Sequence, residues 1–231
     1  MQKTLLLVAL ILGSHSSWAN IVINGTRVIY PENNKEVVVQ LINNGDTPAL
    51  VQSWIDDGDI NSTPETAHVP FMLSPPVVKV NGNNGQQLRI KKIEAKLPKD
   101  RESVFFLNVL DIPPAPDHLK GVNTIQLAIK SRVKVFYRPA ILAGRQNEAM
   151  SGLKLIVENN HFRIVNNSPF HITIANIETS AKQKLLAESV MVPPFTPITT
   201  AAKTNLKRNQ SYQVIYVDDL GAYKTRDVTS Q

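Results

Sequence analysis

One long stretch in the middle of the chain, residues 123–139, constrains the fold more than any other feature. It reads NTIQLAIKSRVKVFYRP, whereas a typical strand has about 5–6 residues. Its first half alternates, and one face consists of Ile125, Leu127 and Ile129. Its second half places three cations among apolar residues: Arg132, Lys134 and Arg138. This pattern predicts a long strand that can pair with a foreign chain, since an apolar face offers contacts and a cation can hold a carboxylate.

The chain before this stretch reads as short strands separated by turns. Apolar or alternating runs cover residues 21–30, 35–42, 50–55, 71–80, 87–91 and 104–112. Pro75 and Pro76 interrupt the fourth run, which therefore predicts an edge or broken strand. We expect Trp54, in the third run, to fill the core. With the long strand this makes about seven strands, the number typical of an immunoglobulin-like sandwich.

The remainder of the chain is also predicted to be β. Residues 139–150 have no periodicity and predict a connector. Five shorter runs follow, at 153–157, 162–165, 171–177, 185–191 and 212–217. The fold class is therefore all-β, with a smaller second domain.

Residues 1–19 are interpreted as a signal peptide. Lys3 precedes an apolar run at residues 5–12, and small residues at Ser17 and Ala19 fit a cleavage site. Removal of Lys3 lowers the formal charge from +6 to +5. Secretion of a chain without cysteine favours the bacterial periplasm. The apolar run is too short to span a bilayer, so we expect no stable membrane insertion.

Catalytic and cofactor-binding patterns are missing from the sequence. Its 25 Lys and Arg residues are spread without a run, so nucleic acid is not an expected partner. The five His residues have no zinc-site spacing, and no phosphate loop or nucleophile motif occurs. Asp56 begins a segment like a calcium loop, but Ala67 stands where the closing Glu belongs, so we expect a solvated turn. We therefore expect no enzymatic activity, cofactor or metal.

Several motifs together resemble the PapD-like family of periplasmic pilus-assembly chaperones. They are TRVIYP at 26–31, QSW at 52–54, LPKDRES at 97–103, Asn108, IPP at 112–114, residues 123–129 and 132–139, VPP at 192–194 and DLGA at 219–222. The resemblance implies two immunoglobulin-like β-sandwich domains in a boomerang arrangement, over residues 20–143 and 144–231. The short 112–122 loop and the lack of cysteine resemble the short-loop branch of the family.

The family resemblance also implies a function. Such chaperones lend a strand to a pilin whose own sandwich lacks one, and then pass it to an outer-membrane usher. By family position the lent residues are Ile125, Leu127 and Ile129. From the pattern alone, these three side chains could instead fill the chain's own core.

Two groups of charged residues match positions that are functional in the family. Arg27 and Lys134 match the cations that hold the pilin's C-terminal carboxylate. Alternation places Lys134 on the face opposite Ile125, unless a bulge or twist intervenes. A second set matches the interdomain charge network: Glu102, Arg138 and Asp219. Asp218 fits the last place equally well, and all five charges could also be ordinary solvated surface groups.

Two other classes of protein remain compatible with a secreted β chain. One is an adhesion or pilus structural subunit, which usually carries a cysteine pair and an alternating N-terminal extension. The other is a carbohydrate-binding or hydrolytic sandwich, which needs convergent acids or exposed aromatic residues. Only 6% of residues are aromatic, and the chain has no cysteine.

Overall fold

The computed structural model describes residues 21–114 and 125–231, and its regular structure is almost entirely β. The strands of the first sandwich are β1 Ile21–Ile23, β2 Arg27–Pro31, β3 Val37–Asn43, β4 Ala49–Asp56, β5 Phe71–Ser74, β6 Val77–Val80, β7 Gly85–Lys92, β8 Ser103–Ile112 and β9 Ile129–Arg138. They form a four-stranded sheet of order β1-β3-β7-β5 and a five-stranded sheet of order β2-β9-β8-β4-β6.

The second sandwich follows two 3-10 segments, Ala140–Leu142 and Gln146–Gly152. Its strands are β10 Leu153–Glu158, β11 His161–Asn166, β12 Ile172–Glu178, β13 Val190–Val192, β14 Pro197–Ala201, β15 Ser211–Val217 and β16 Tyr223–Thr229. They form a three-stranded sheet of order β10-β11-β14 and a four-stranded sheet of order β13-β12-β15-β16. Each sandwich has its own apolar core, which confirms the predicted all-β fold with two β-sandwich domains.

The N-terminal run that the sequence presents as one strand is in fact two. β1 pairs with β3 in one sheet, and β2 pairs with β9 in the other. Gly25, at φ +123°, lies between them, and glycine adopts this conformation without strain. The break at Pro75 and Pro76 is confirmed, because β5 and β6 are edge strands of opposite sheets.

The long central strand is shorter than predicted. β9 begins at Ile129, which pairs with Asp111 near the end of β8. Residues 125–128 have no regular structure, because they lie beyond that last pairing with β8. Residues 123 and 124 lie outside the described residues.

Trp54 is buried, but not between the two sheets. Ala49, Val51 and Ile55 of β4 join the core, so Trp54 lies on the outer face of the same strand. Its Nε1 donates to Ser62 Oγ at 3.2 Å. The predicted burial of Trp54 is confirmed, but the loop after β4 buries this ring on the outer face of the sheet.

Sequence patterns missed two strands of the second sandwich and misplaced a third. β14 and β16 were not predicted, because their residues are mostly exposed and lack an apolar alternation. In the run 185–191, Leu185 and Leu186 are fully buried outside any strand, and β13 begins only at Val190. Among the described residues, no helix is long and apolar enough to cross a bilayer.

Tyr212 ties the start of β15 to the preceding loop. Its hydroxyl donates to Lys207 O at 3.0 Å and accepts from Lys207 N at 2.9 Å. Its ring packs edge-on against Phe162 with centroids 5.1 Å apart. This is the tyrosine-corner arrangement of immunoglobulin-like folds.

We expect Tyr212→Phe to lower the free energy of unfolding of the second sandwich by about 1–3 kcal/mol, because two backbone groups lose their buried partner. Chemical denaturation measures the change. Tyr223→Phe is the matched control, since Tyr223 is 73% exposed. Equal stability of Tyr212→Phe and the control would contradict this assignment.

Candidate functional site

The site is built on one edge of β9. From Ile129 to Tyr137, β9 pairs with β8 on one side. On the other side β2 runs parallel to it, but only from the Arg27–Lys134 pair onward. Among the described residues, the segment from Ile129 to Val133 therefore has no neighbour on that side. Unpaired backbone groups of this kind are a template for another strand.

The register of β9 keeps a strict alternation. Its pairing with β8 is continuous, with no bulge between Ile129 and Tyr137. Val135 is fully buried in the sandwich core, so odd-numbered residues of β9 face inward and Lys134 faces outward. Ile129 and Lys134 therefore lie on opposite faces of β9, as the sequence indicated, and this strand has no bulge.

The three apolar residues before and at the start of β9 are exposed. Ile125 is 92%, Leu127 73% and Ile129 50% exposed. They do not fill the chain's own core, so that alternative is wrong. A series of exposed large apolar side chains is typical of an interaction surface.

Arg27 and Lys134 lie side by side where β2 joins β9. Both are half-buried. Arg27 Nη1 donates to the carbonyl of Val217 in the second domain at 3.1 Å, while Arg27 Nε is buried without a hydrogen-bond partner. In the part of the chain that the structure describes, no carboxylate lies within 4.0 Å of either cation.

Burial has a direct effect on these two cations. It lowers the pKa of Lys134, and the neighbouring Arg27 lowers that pKa further. Burial also lowers the pKa of Arg27, against the opposing charges of Asp219, Asp218 and Glu102. A partly desolvated cation is unfavourable without a close counterion. The pair is therefore suited to receive a carboxylate from outside the chain.

Arg138 joins the two domains. Its Nε donates to Glu102 Oε1 at 2.8 Å, and its Nη1 and Nη2 donate to the two oxygens of Asp219 at 2.7 and 2.9 Å. Glu102 Oε2 also accepts the backbone N–H of His171 at 2.8 Å. The structure thus brings the three residues of the expected network together across the domain junction.

Asp218, the alternative member of that network, has a different role. Its Oδ1 accepts the backbone N–H groups of Leu220 at 3.0 Å and Ala222 at 2.9 Å. It closes its own turn, and Asp219 is the carboxylate that pairs with Arg138.

A cavity of about 290 Å³ lies between the domains. Both domains contribute to its lining, including Arg27, Arg138, Met150, His171, Asp219 and Lys224. Sequence reasoning missed His171 and Lys224, because neither belongs to a motif and the strand that carries Lys224 was not predicted.

Asp56 is buried, in contrast to the solvated turn that the sequence predicted there. Its side chain is 1% exposed and pairs with Arg132 of β9, while Asn108 Nδ2 donates to it at 2.6 Å. Burial alone would raise the pKa of Asp56, but hydrogen bonds from Arg132, Asn108 and Gly58 hold that pKa below its usual range. The expected solvated turn is wrong at this position. Among the described residues, no cluster of metal-ligating side chains is present.

Four cations therefore lie along the outer face of β9, and they differ in their partners. Lys130 is exposed and donates to the carbonyl of Ile60 at 2.8 Å. Arg132 has Asp56, and Arg138 has Glu102 and Asp219. Lys134, between them, has no carboxylate partner among the described residues.

We expect Arg138→Leu to lower the free energy of unfolding by about 3–5 kcal/mol, because it leaves the buried carboxylate of Glu102 without its cation. Adding Glu102→Gln should recover part of this loss. Chemical denaturation of both variants measures the two changes. A double variant no more stable than Arg138→Leu would show that the buried charge is not the cause.

Two family models match this chain. "Pili and flagellar-assembly chaperone, PapD N-terminal domain" matches residues 20–143, and "Pili assembly chaperone PapD, C-terminal domain" matches residues 148–228. Both describe chaperones, which argues against the alternative of a pilus structural subunit.

Known proteins of similar sequence and structure carry the same description. The probable fimbrial chaperone YehC of Escherichia coli is 41% identical over 95% of this chain and 90% of its own length. Chaperone protein MrkB of Klebsiella pneumoniae is 40% identical over 88% of both chains. The crystal structure of the Pseudomonas aeruginosa CupB2 chaperone is 30% identical with a TM-score of 0.78, covering 91% of this chain and 100% of the other. The chain thus belongs to the PapD family of pilus-assembly chaperones.

Proposed function

We propose that this chaperone binds pilin subunits in the periplasm by lending them a strand, and that it delivers them to an outer-membrane usher. The observation that carries the proposal is the pair of half-buried cations, Arg27 and Lys134, at the end of an open, apolar strand edge. A chaperone of the same fold, SafB of Salmonella enterica, was solved in complex with the SafA pilin. This is a binding function and needs no catalytic group.

The topology supports one direction for a client strand. Its C-terminal carboxylate would meet Lys134, where β2 already occupies the edge of β9. The residues before that carboxylate would then run along the open edge from Val133 back towards Ile125. A client with its C-terminus at this end runs in the same direction as β9, so the added strand is parallel. β2 limits how far the client can extend.

The apolar residues and the anchor make separate contributions. Burial of Ile125, Leu127 and Ile129 in a client groove stabilises the complex by about 1.5–3 kcal/mol per side chain, before ordering costs. An apolar ladder of period two can slip in register. A carboxylate held by two cations at the end of the edge would fix that register, because charge-assisted hydrogen bonds are strong and directional.

The Glu102–Arg138–Asp219 network has a supporting role in this proposal. It holds the second domain against the end of β9, and Val217 of that domain accepts a hydrogen bond from Arg27. We propose that the network sets the interdomain angle and so the position of the anchor. We place the domains at residues 20–143 and 144–231, after a signal peptide at 1–19.

We expect Lys134→Met to abolish client binding without loss of stability in the free chaperone. Removing a partly desolvated cation without a counterion should leave the free energy of unfolding within about 0.5 kcal/mol of the wild type, or raise it. The client is the subunit that co-purifies in one-to-one ratio from periplasmic extract, identified by mass spectrometry. Arg27→Ala should also abolish the complex.

The matched control is Lys79→Met, because Lys79 is an exposed lysine on the edge strand β6 of the same sheet. This control should retain its client. Normal client yield from folded Lys134→Met protein would refute the proposed anchor.

We expect Leu127→Thr to weaken client binding by about tenfold or more, since the threonine hydroxyl would enter an apolar pocket of the client. The free protein should be equally stable, because Leu127 is 73% exposed. The affinity is measured by titrating the refolded client with the chaperone and monitoring fluorescence. An unchanged affinity would show that the client does not bury this residue.

A further inference from the structure

The turn between β15 and β16, residues 218–222, is tightly bonded. Asp218 Oδ1 accepts two of its backbone N–H groups, Gly221 N donates to Asp218 O at 3.0 Å, and Asp218 N donates to Ala222 O at 3.0 Å. Gly221 has φ +85°, which favours glycine. A turn with these bonds presents its side chains in fixed positions.

This turn of the second domain lies against the start of β2 in the first. A Cβ added to Gly221 would overlap Thr26 Oγ1, so a larger residue here would force the Thr26 side chain to move. Thr26 immediately precedes Arg27. Asp219 in the same turn pairs with Arg138. The carbonyl of Val217, just before the turn, accepts a hydrogen bond from Arg27. Contacts with Arg27 and Arg138 therefore hold the turn close to the proposed carboxylate anchor.

Leu220, at the centre of this turn, is 91% exposed. A single exposed leucine is ordinary on a protein surface. This one, however, belongs to a turn that its own hydrogen bonds hold in place, and it lies between Asp219 and Gly221, which both contact the first domain.

We propose that Leu220 is a specificity contact from the second domain, which packs against an apolar side chain in the last residues of the client, next to its C-terminal carboxylate. The inference rests on the proposed function. It commits to the client because the turn is continuous with the anchor: a chain that ends at Arg27 and Lys134 ends beside Thr26, and Thr26 contacts this turn.

The test uses a synthetic peptide of about ten residues, the upper range of a strand, with alternating valine and threonine, a free C-terminal carboxylate and phenylalanine at the penultimate position. Two variants carry alanine at that position or a C-terminal amide. Fluorescence anisotropy gives the affinity of each peptide for wild type and for Leu220→Ala. Met72→Ala is the matched control, since Met72 is an exposed apolar residue (59%) in the sheet without β9.

We expect Leu220→Ala to weaken binding of the phenylalanine peptide about five- to tenfold, and binding of the alanine peptide less than about twofold. Met72→Ala should bind both peptides as the wild type does. Equal losses for the two peptides, or no loss for either, would overturn the inference. So would unchanged peptide binding together with altered self-association or altered usher-dependent assembly, which would assign Leu220 to another partner.

The amide peptide separates this inference from the proposed function. If amidation leaves the wild-type affinity unchanged, the carboxylate anchor itself is wrong. If amidation weakens binding but Leu220→Ala does not, the anchor holds and only the role of Leu220 is refuted.

Discussion

The parallel pairing of β2 with β9 is the constraint on which the rest of the site depends. This pairing begins only at Arg27 and Lys134. One edge of β9 is therefore paired with β2 from Lys134 onward and open from Ile129 to Val133. The same pairing brings two cations together at the boundary between the paired and open parts of this edge. A strand edge that was paired throughout could not pair with a client strand. An edge that was open throughout would not fix the position of the client's C-terminus.

Electrostatics divide the outer face of β9 in a similar way. Arg132 and Arg138 are each paired within the chain, the first with Asp56 and the second with two carboxylates. These pairs hold the strand to its sheet and to the second domain. Lys134 is partly desolvated between them, so the free chaperone carries an unfavourable charge where a client would neutralise it. Such a local cost is common at binding sites, because it is recovered only in the complex.

The apolar residues that precede β9 show the same relation between stability and function. Ile125 and Leu127 are exposed in a segment that β8 is too short to pair. They add nothing to the core of the free protein, and the proposed client would bury them. The second domain approaches the same place from the other side, because its β15–β16 turn reaches the start of β2 and contacts both Thr26 and Arg138.

The sequence by itself determined the fold class and the chemical types at the site. Strand-length apolar runs and proline-rich turns indicated two β domains, and the motifs around Arg27, Glu102 and Lys134 resemble those of the pilus-assembly chaperones. Local patterns of this kind survive in the sequence because alternation and turn chemistry act over a few residues.

Only the tertiary structure decided which strands pair, and therefore which groups are buried or free. It divided residues 21–31 between two sheets, ended the pairing of β9 at Ile129, and selected Asp219 over Asp218. It also buried Asp56 and left Lys134 without a carboxylate among the described residues. These outcomes depend on contacts between residues far apart in the chain, and no local pattern records which distant partner a strand or a charge will meet.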